Sequence, residues 1–273
     1  MGAPRKPELG DLDDLSPLPE TCHAIQHLGN RLSTPPGDII VVIQEDPVLT
    51  LSILRACNTP QMGFARRLGS VQQAVVWMGY NAIKNMAVDR TRVCDKPAPD
   101  AAMQAQVHHA RRVAALCRTL AQRLELPPGE FPALQSAGLL HDMGRLLMVG
   151  TAPVAHARAV ARAKQHTLSL TQAEQEVFGV DHARLGGRCA ARWFLPPFLE
   201  RAASRHHPAS RRRGQGSVEE IVAVANALAH FPHATPPLPP GVTGRFGLSL
   251  EQLAETLNIT AARQDPPPQE NTP

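Results

Sequence analysis

Apolar side chains fall three and four positions apart along most of this chain, the spacing that builds one face of an α-helix. Ile25, Leu28 and Leu32 form the first such face, in a helix opened by Ser16-Pro17-Leu18-Pro19-Glu20 with proline near its first turn. Asp38 precedes a run of Ile and Val over residues 39–45 that fits a capped helix or a strand equally well. Asp46-Pro47 marks a helix start, with Asp as N-cap and Pro at the first helical position; Val48, Leu51 and Leu54 follow on one face, and Asn58-Thr59-Pro60 supplies the stop. Ser70 caps a helix that turns Val71, Ala74, Val75 and Met78 inward and halts at Gly79, and a shorter helix covers residues 81–88. Residues 95–100, rich in Pro and Asp, read as a linker. Beyond it the pattern predicts helices over 101–124, 131–149 and 153–166, one capped by Ser169, and two more over 180–194 and 197–205. A capping box at Ser217-Val218-Glu219-Glu220 opens a helix to residue 229, and a short one covers 249–257. The expectation is an all-α protein. A disordered leader (1–14) precedes an N-terminal helical bundle (15–94) packed on a second helical subdomain (100–231), then a connector with a short helix (232–262) and a disordered tail (263–273).

Composition narrows the function classes. The 273 residues are 43% hydrophobic and only 4% aromatic, which favours packed helices over a β-sandwich. A net charge of +4 is too mild to demand nucleic acid as a partner. Residues 70–88 hold a helix, a Gly turn and a second helix, but that second helix offers only Lys84 to grip phosphates, so no DNA is expected. No apolar run reaches the roughly 18 residues of a membrane helix, and the first 14 residues lack the apolar stretch of a signal peptide. Five scattered cysteines without a C-x-x-C pair read as reduced, packed thiols in the cytoplasm.

The chemistry gathers at histidine. His141-Asp142 lies within an apolar frame, Ala137-Gly138-Leu139-Leu140 before it and Met143-Gly144 after it. A carboxylate buried there costs several kcal/mol unless a metal ion or a cation offsets it. Arg145, three residues on, shares a helix face with Asp142 and could be that cation. His109 lies on the long helix of small apolar residues, His182 follows Gly179-Val180-Asp181, and His206-His207 ends the 197–205 segment. His182 and His206 could serve a second metal or a phosphate, but capped or surface histidines are the plainer reading. Glu174 and Glu176 read as solvated helix charges, Arg211-Arg212-Arg213 as a solvated loop, and Trp77 with Met78 as core or contact residues between the halves.

The order of these blocks resembles the HD superfamily of metal-dependent phosphohydrolases, and more closely the HDOD family, over roughly residues 15–229. The N-terminal marks are Leu18-Pro19, Glu45-Asp46-Pro47-Val48-Leu49-Thr50, Leu54-Arg55-Ala56-Cys57-Asn58 and residues 70–79; the C-terminal ones are His109, residues 138–145, Gly179-Val180-Asp181-His182 and His206-His207. The resemblance implies an HD-like second half. It also implies a first metal site at His109, His141, Asp142 and Asn226, where the family has a carboxylate in place of Asn226. One negative charge is therefore missing, and the implied divalent metal is expected to be weakly bound or absent. Arg145 stands where the related HD-GYP phosphodiesterases carry Lys; the Gly-Tyr-Pro of that family is absent. The resemblance implies a bacterial-type cytoplasmic signalling module acting through contacts with other proteins, its degenerate pocket structural or sensing a nucleotide. The alternative is a working phosphohydrolase with Arg145 as charge stabiliser.

Overall fold

The computed structural model describes residues 6–31, 34–92, 100–207 and 217–230. They form thirteen α-helices, with no strand among the described residues. In chain order these are α1 (Pro19–Gly29), α2 (Pro36–Gln44), α3 (Pro47–Cys57), α4 (Val71–Met78), α5 (Tyr80–Thr91), α6 (Ala101–Arg123) and α7 (Phe131–Leu140). Then come α8 (Met143–Thr151), α9 (Pro153–His166), α10 (Leu170–Phe178), α11 (His182–Arg192), α12 (Pro197–Arg205) and α13 (Val218–His230). The all-α expectation holds. The ambiguous Ile/Val run is helix α2, because Ile39 and Ile43 lie one turn apart and both enter the core.

Local chemistry accounts for most boundaries. The side chains of Asp46, Ser70, Asp100, Ser169 and Asp181 each accept a hydrogen bond from the first turn of the helix they precede. Asp46 does more than cap α3: its Oδ1 accepts from the backbone N of Leu49 at 2.9 Å and its Oδ2 from that of Leu18 at 2.7 Å, tying the approach to α1 onto α3. Asn58 joins α3 to the next loop, with Nδ2 donating to the carbonyls of Leu54 and Leu68 and Oδ1 accepting from Leu68 N.

Two cores result. Ile25, Ile39, Ile43, Leu49, Ile53 and Ile83 fill the first, among α1–α5. The larger second core runs through α6, α7, α8, α11, α12 and α13, and also takes Val48, Leu51 and Leu54 from α3. Helix α3 is thus apolar on two faces and packs into both cores. Each fully buried Leu on it contributes about 1.5–3 kcal/mol.

Several expectations need correction. The leader is ordered at its end: Leu12–Asp14 forms a 3-10 turn capped by Asp11, Leu12 is buried, and Asp11 and Asp13 pair with Arg55. The helix predicted over 131–149 is broken at His141-Asp142 into α7 and α8. The box expected at Ser217 does not form, since Ser217 Oγ is unbonded and only its carbonyl accepts, from Glu220 N and Ile221 N. Cys57, Cys117 and Cys189 are free thiols, but Cys22 is disulfide-bonded. Trp77 is largely exposed rather than core. Leu32, most of the 95–100 linker, Arg211-Arg212-Arg213 and everything expected beyond residue 230 lie outside the described residues. No described helix is long and apolar enough to cross a membrane.

Two glycines let the helices that carry the histidines approach closely. A Cβ on Gly138 would lie 2.8 Å from Cys117 Sγ and 2.9 Å from Ala114 Cα, so α7 rests directly on α6. A Cβ on Gly144 would lie 2.1 Å from the carbonyl oxygen of His182 and 2.6 Å from Gly186 N, so α8 meets α11 backbone to backbone. These close approaches help bring side chains of α6 and α11 to the α7–α8 break.

Candidate metal centre

The break between α7 and α8 aims one dipeptide into the protein. Asp142 has φ −101° and ψ 25°, off the helical path, and its carbonyl still accepts from Leu146 N. Around it stand His109 on α6, His182 at the start of α11, His206 and His207 just after α12, and Asn226 on α13. Two triads have ligand atoms close enough to share one ion: His109 with His141 and Asp142, and His182 with His206 and His207.

Asp142 lies between the triads. Its Oδ1 is 3.2 Å from His206 Nε2 and 3.4 Å from His182 Nε2. Its Oδ2 accepts from Gln106 Nε2 at 3.1 Å and is 3.8 Å from His141 Nε2. His109 Nε2 and His141 Nε2 are 3.3 Å apart, and Asn226 lies against His109. His230 stacks on the outer face of His109 with ring centroids 4.7 Å apart.

The other ring nitrogen of each buried histidine is already committed. His141 Nδ1 is 2.7 Å from the Gly138 carbonyl, and His206 Nδ1 is 2.9 Å from that of Ala203. A carbonyl oxygen only accepts, so both Nδ1 atoms carry the proton, and in the neutral ring Nε2 presents a bare lone pair to the centre. His182 Nδ1 meets Glu174 Oε2 at 2.6 Å, and the same oxygen accepts from His182 backbone N at 2.9 Å. Glu174 is fully buried. It is therefore not the solvated charge expected from sequence.

Protonation follows from this crowding. Burial pushes His109 down to about 4 and His207 down to about 3, and it holds His141 well below the ordinary imidazole value. Burial alone would raise the Asp142 carboxyl, but His141, His182 and His206 together hold it well below the usual carboxylate range. Burial also opposes charge on His182, yet Asp142 and Glu174 outweigh it and the pKa is raised. His207 Nε2 lies 2.7 Å from His182 Nε2, placed to accept a proton held there. Without a metal ion, an imidazolium at His182 stands near Asp142. Arg145 Nη1 reaches Asp142 Oδ2 only at 3.8 Å from a partly exposed position, so the guanidinium is not the principal counter-charge.

The residues fit a metal ion. Asp142 Oδ1 and His206 Nε2 are buried 3.2 Å apart without a well-directed hydrogen bond between them, and lone pairs that face one another in apolar surroundings are stabilised by a cation nearby. Five imidazoles and one carboxylate favour a first-row transition ion such as Zn²⁺, Fe²⁺ or Ni²⁺ over Mg²⁺ or Ca²⁺. The structure brings every residue singled out from sequence to this place: His109, His141, Asp142, Arg145, Asn226, His182 and His206. Sequence reasoning assigned His207 to a loop and Glu174 to a solvated helix face, although the resemblance to the HD superfamily implied that such a Glu can reach a metal; the structure places both beside His182.

Comparison with known proteins identifies the family and the fold. A family model of the HDOD domain matches residues 15–209. An uncharacterised protein of Treponema pallidum (strain Nichols) is 23% identical over 259 residues, covering 90% of this chain and 48% of that protein, so the chain spans about half the length of that relative. Among solved structures, a fragment of the MmoQ response regulator of Methylococcus capsulatus str. Bath is 25% identical with a TM-score of 0.72, covering 89% of this chain and 94% of that one. A virulence factor of Campylobacter jejuni subsp. jejuni is 22% identical with a TM-score of 0.69, covering 93% and 97%, a likeness of fold alone.

Proposed function

Since the chain belongs to the HDOD family, we propose that it is a signalling module whose histidine pocket takes up a divalent transition-metal ion, senses a phosphate-bearing ligand such as a nucleotide there, and acts through contacts with other proteins. The observation that carries the reading is that two groups of ligand atoms, His109–His141–Asp142 and His182–His206–His207, each close enough to share an ion, flank the buried Asp142 carboxylate. His109, His141 and Asp142 would hold the ion, with Asn226 a weak neutral partner; His182, His206 and His207 form a second triad for another. A bound divalent ion together with Arg145 outweighs the two carboxylates, Asp142 and Glu174, and that net positive charge favours an anionic ligand. Arg145, partly exposed beside it, is placed to add a bidentate phosphate contact.

Regulation is preferred over turnover because both carboxylates of the site are committed. Asp142 is shared between the triads and Glu174 is sealed against His182, so neither is free to deprotonate a water. One observation favours hydrolysis: two triads on either side of one carboxylate resemble a two-ion site. Ions held there would polarise a phosphoryl oxygen and activate water.

Two measurements separate these readings. Metal content is determined on full-length protein purified without chelator and again after dialysis against Mn²⁺, Fe²⁺, Ni²⁺ and Zn²⁺. Phosphate release is followed from bis-p-nitrophenyl phosphate and cyclic dinucleotides. The expected result is bound metal with little turnover. Protein that stays metal-free under all four ions sinks the proposal, and turnover abolished by Asp142→Ala replaces regulation with catalysis.

A further inference from the structure

Away from the histidines, the loop before α4 faces the Pro196-Pro197-Phe198 turn across a groove of about 530 Å³. A second hollow of about 240 Å³ adjoins it, shares Arg66 and Arg67, and ends at Phe194. Gly69 opens the groove: a Cβ there would lie 2.4 Å from the Phe198 ring that lines it. The lining is unusually apolar for free surface, with Trp77 58% and Phe194 41% exposed.

Phe194 is the most telling of these. It follows the C-cap of α11 with φ +54°, a left-handed position where glycine is the unstrained choice. The turn itself needs only backbone, Phe194 N donating to Ala191 O at 3.1 Å and Leu195 N to Ala190 O at 2.9 Å. Folding therefore does not call for an aromatic ring here. Arg67 lies over that ring at 5.8 Å and donates to the Leu195 carbonyl at 3.1 Å. Neither Arg66 nor Arg67 pairs with a carboxylate among the described residues.

We propose that this groove docks a partner protein through a short acidic segment bearing one large apolar side chain. The apolar side chain enters between Trp77 and Phe198, and carboxylates meet the two guanidinium groups, which bind planar anions bidentately. Two arginines are too few for an oligonucleotide, whose affinity depends on a row of cations along its phosphates. The inference rests on the reading that the module acts through protein contacts, and it names the partner's chemistry. The groove lies at one end of α12, which begins at Pro197, and His206 lies at the other.

The test pans full-length protein against a displayed library of random 12-residue peptides. Enriched peptides should carry net negative charge and an aromatic or branched aliphatic residue, and synthetic copies should shift the emission of exposed Trp77, Trp193 being buried. Affinity should fall at least about tenfold in Trp77→Ala and in Arg66→Glu/Arg67→Glu, as for anchor residues of an interface. Phe194→Gly should weaken binding while leaving the melting temperature equal or higher. Absence of enrichment, enrichment of neutral or basic peptides, or affinity unchanged in these variants overturns the proposal. Tighter binding of oligothymidine, or self-association lost in Trp77→Ala, overturns it in favour of nucleic acid or a second copy. Peptide binding by protein that takes up no metal would sink the pocket reading alone, and a metal-loaded protein that binds no such peptide would sink the groove alone.

Discussion

One oxygen of Glu174 holds both the ring Nδ1 and the backbone N of His182, at 2.6 and 2.9 Å. The carboxylate is shut away from water, so its charge acts through the imidazole rather than on solvent. A histidine backed in this way is a stronger donor at its other nitrogen and is fixed in orientation. Glu174 thereby restores to the pocket some of the negative character that Asn226 withholds.

Replacing that carboxylate should be felt at the metal. Glu174→Gln keeps an acceptor for His182 but loses the charge, and metal affinity should drop about 10- to 100-fold, the usual range for such outer partners. Competitive titration against a chromophoric chelator reads the change. Affinity within twofold of the parent would mean that Glu174 only fills space.

Asn226→Asp runs the other way. It adds a carboxylate beside His109, in a place where the present amide oxygen is buried. Metal should bind at least about tenfold more tightly, and the melting temperature of the loaded protein should rise by mass action. In chelator the same variant should melt lower than the parent, because the new charge is then buried without an ion.

Gly144→Ala tests the geometry without touching a ligand. The added methyl meets the backbone of His182, which cannot swing aside as a side chain would. We expect destabilisation of about 3 kcal/mol or more, measured by urea unfolding, since overpacking against backbone lies at the upper end of its range. Metal stoichiometry should fall in whatever protein remains folded.

Asp46 links stability to pH. Burial raises its carboxyl above the ordinary 3.8, although the Leu18 and Leu49 amides and the Thr21 side chain pull the other way. The folded state therefore holds this proton more tightly than the unfolded chain. Its contribution to stability is greatest below 3.8 and declines as pH rises from there through the folded-state value, then stays constant. Asp46→Asn removes the titration and leaves one backbone amide without its acceptor, costing about 1–3 kcal/mol at neutral pH. Unfolding in urea from pH 3.5 to 7 should show the stability difference between parent and variant narrowing with rising pH. A difference that widens over that window would reverse the assignment.

Much of this was open to a reader of the sequence alone. Asp46-Pro47, Ser70 and Ser169 announced their helices because capping is local: a side chain bonds an amide two or three residues away. His141-Asp142 announced a buried charge, since its apolar neighbours leave it no route to water. The helix break at that pair was not legible, because α7 and α8 have one continuous helical pattern and the close packing of Gly138 on α6 and of Gly144 on α11 lies between helices far apart in sequence. For Trp77 the sequence left core and contact between the halves open, because an aromatic at helical spacing says nothing of whether another element covers it; the residue is exposed on a groove it lines with Pro196 and Phe198.

The chain order by itself determined the helices, their caps and the set of nitrogen and oxygen donors, all of which depend on neighbours within a turn or two. Only the tertiary structure decided that His182 and His206 face the same carboxylate as His109 and His141, that His207 and Glu174 flank His182, and that Arg145 stays at a distance. Those relations join helices far apart in sequence. They are set by how closely two backbones approach, a quantity fixed by packing and carried by no local pattern.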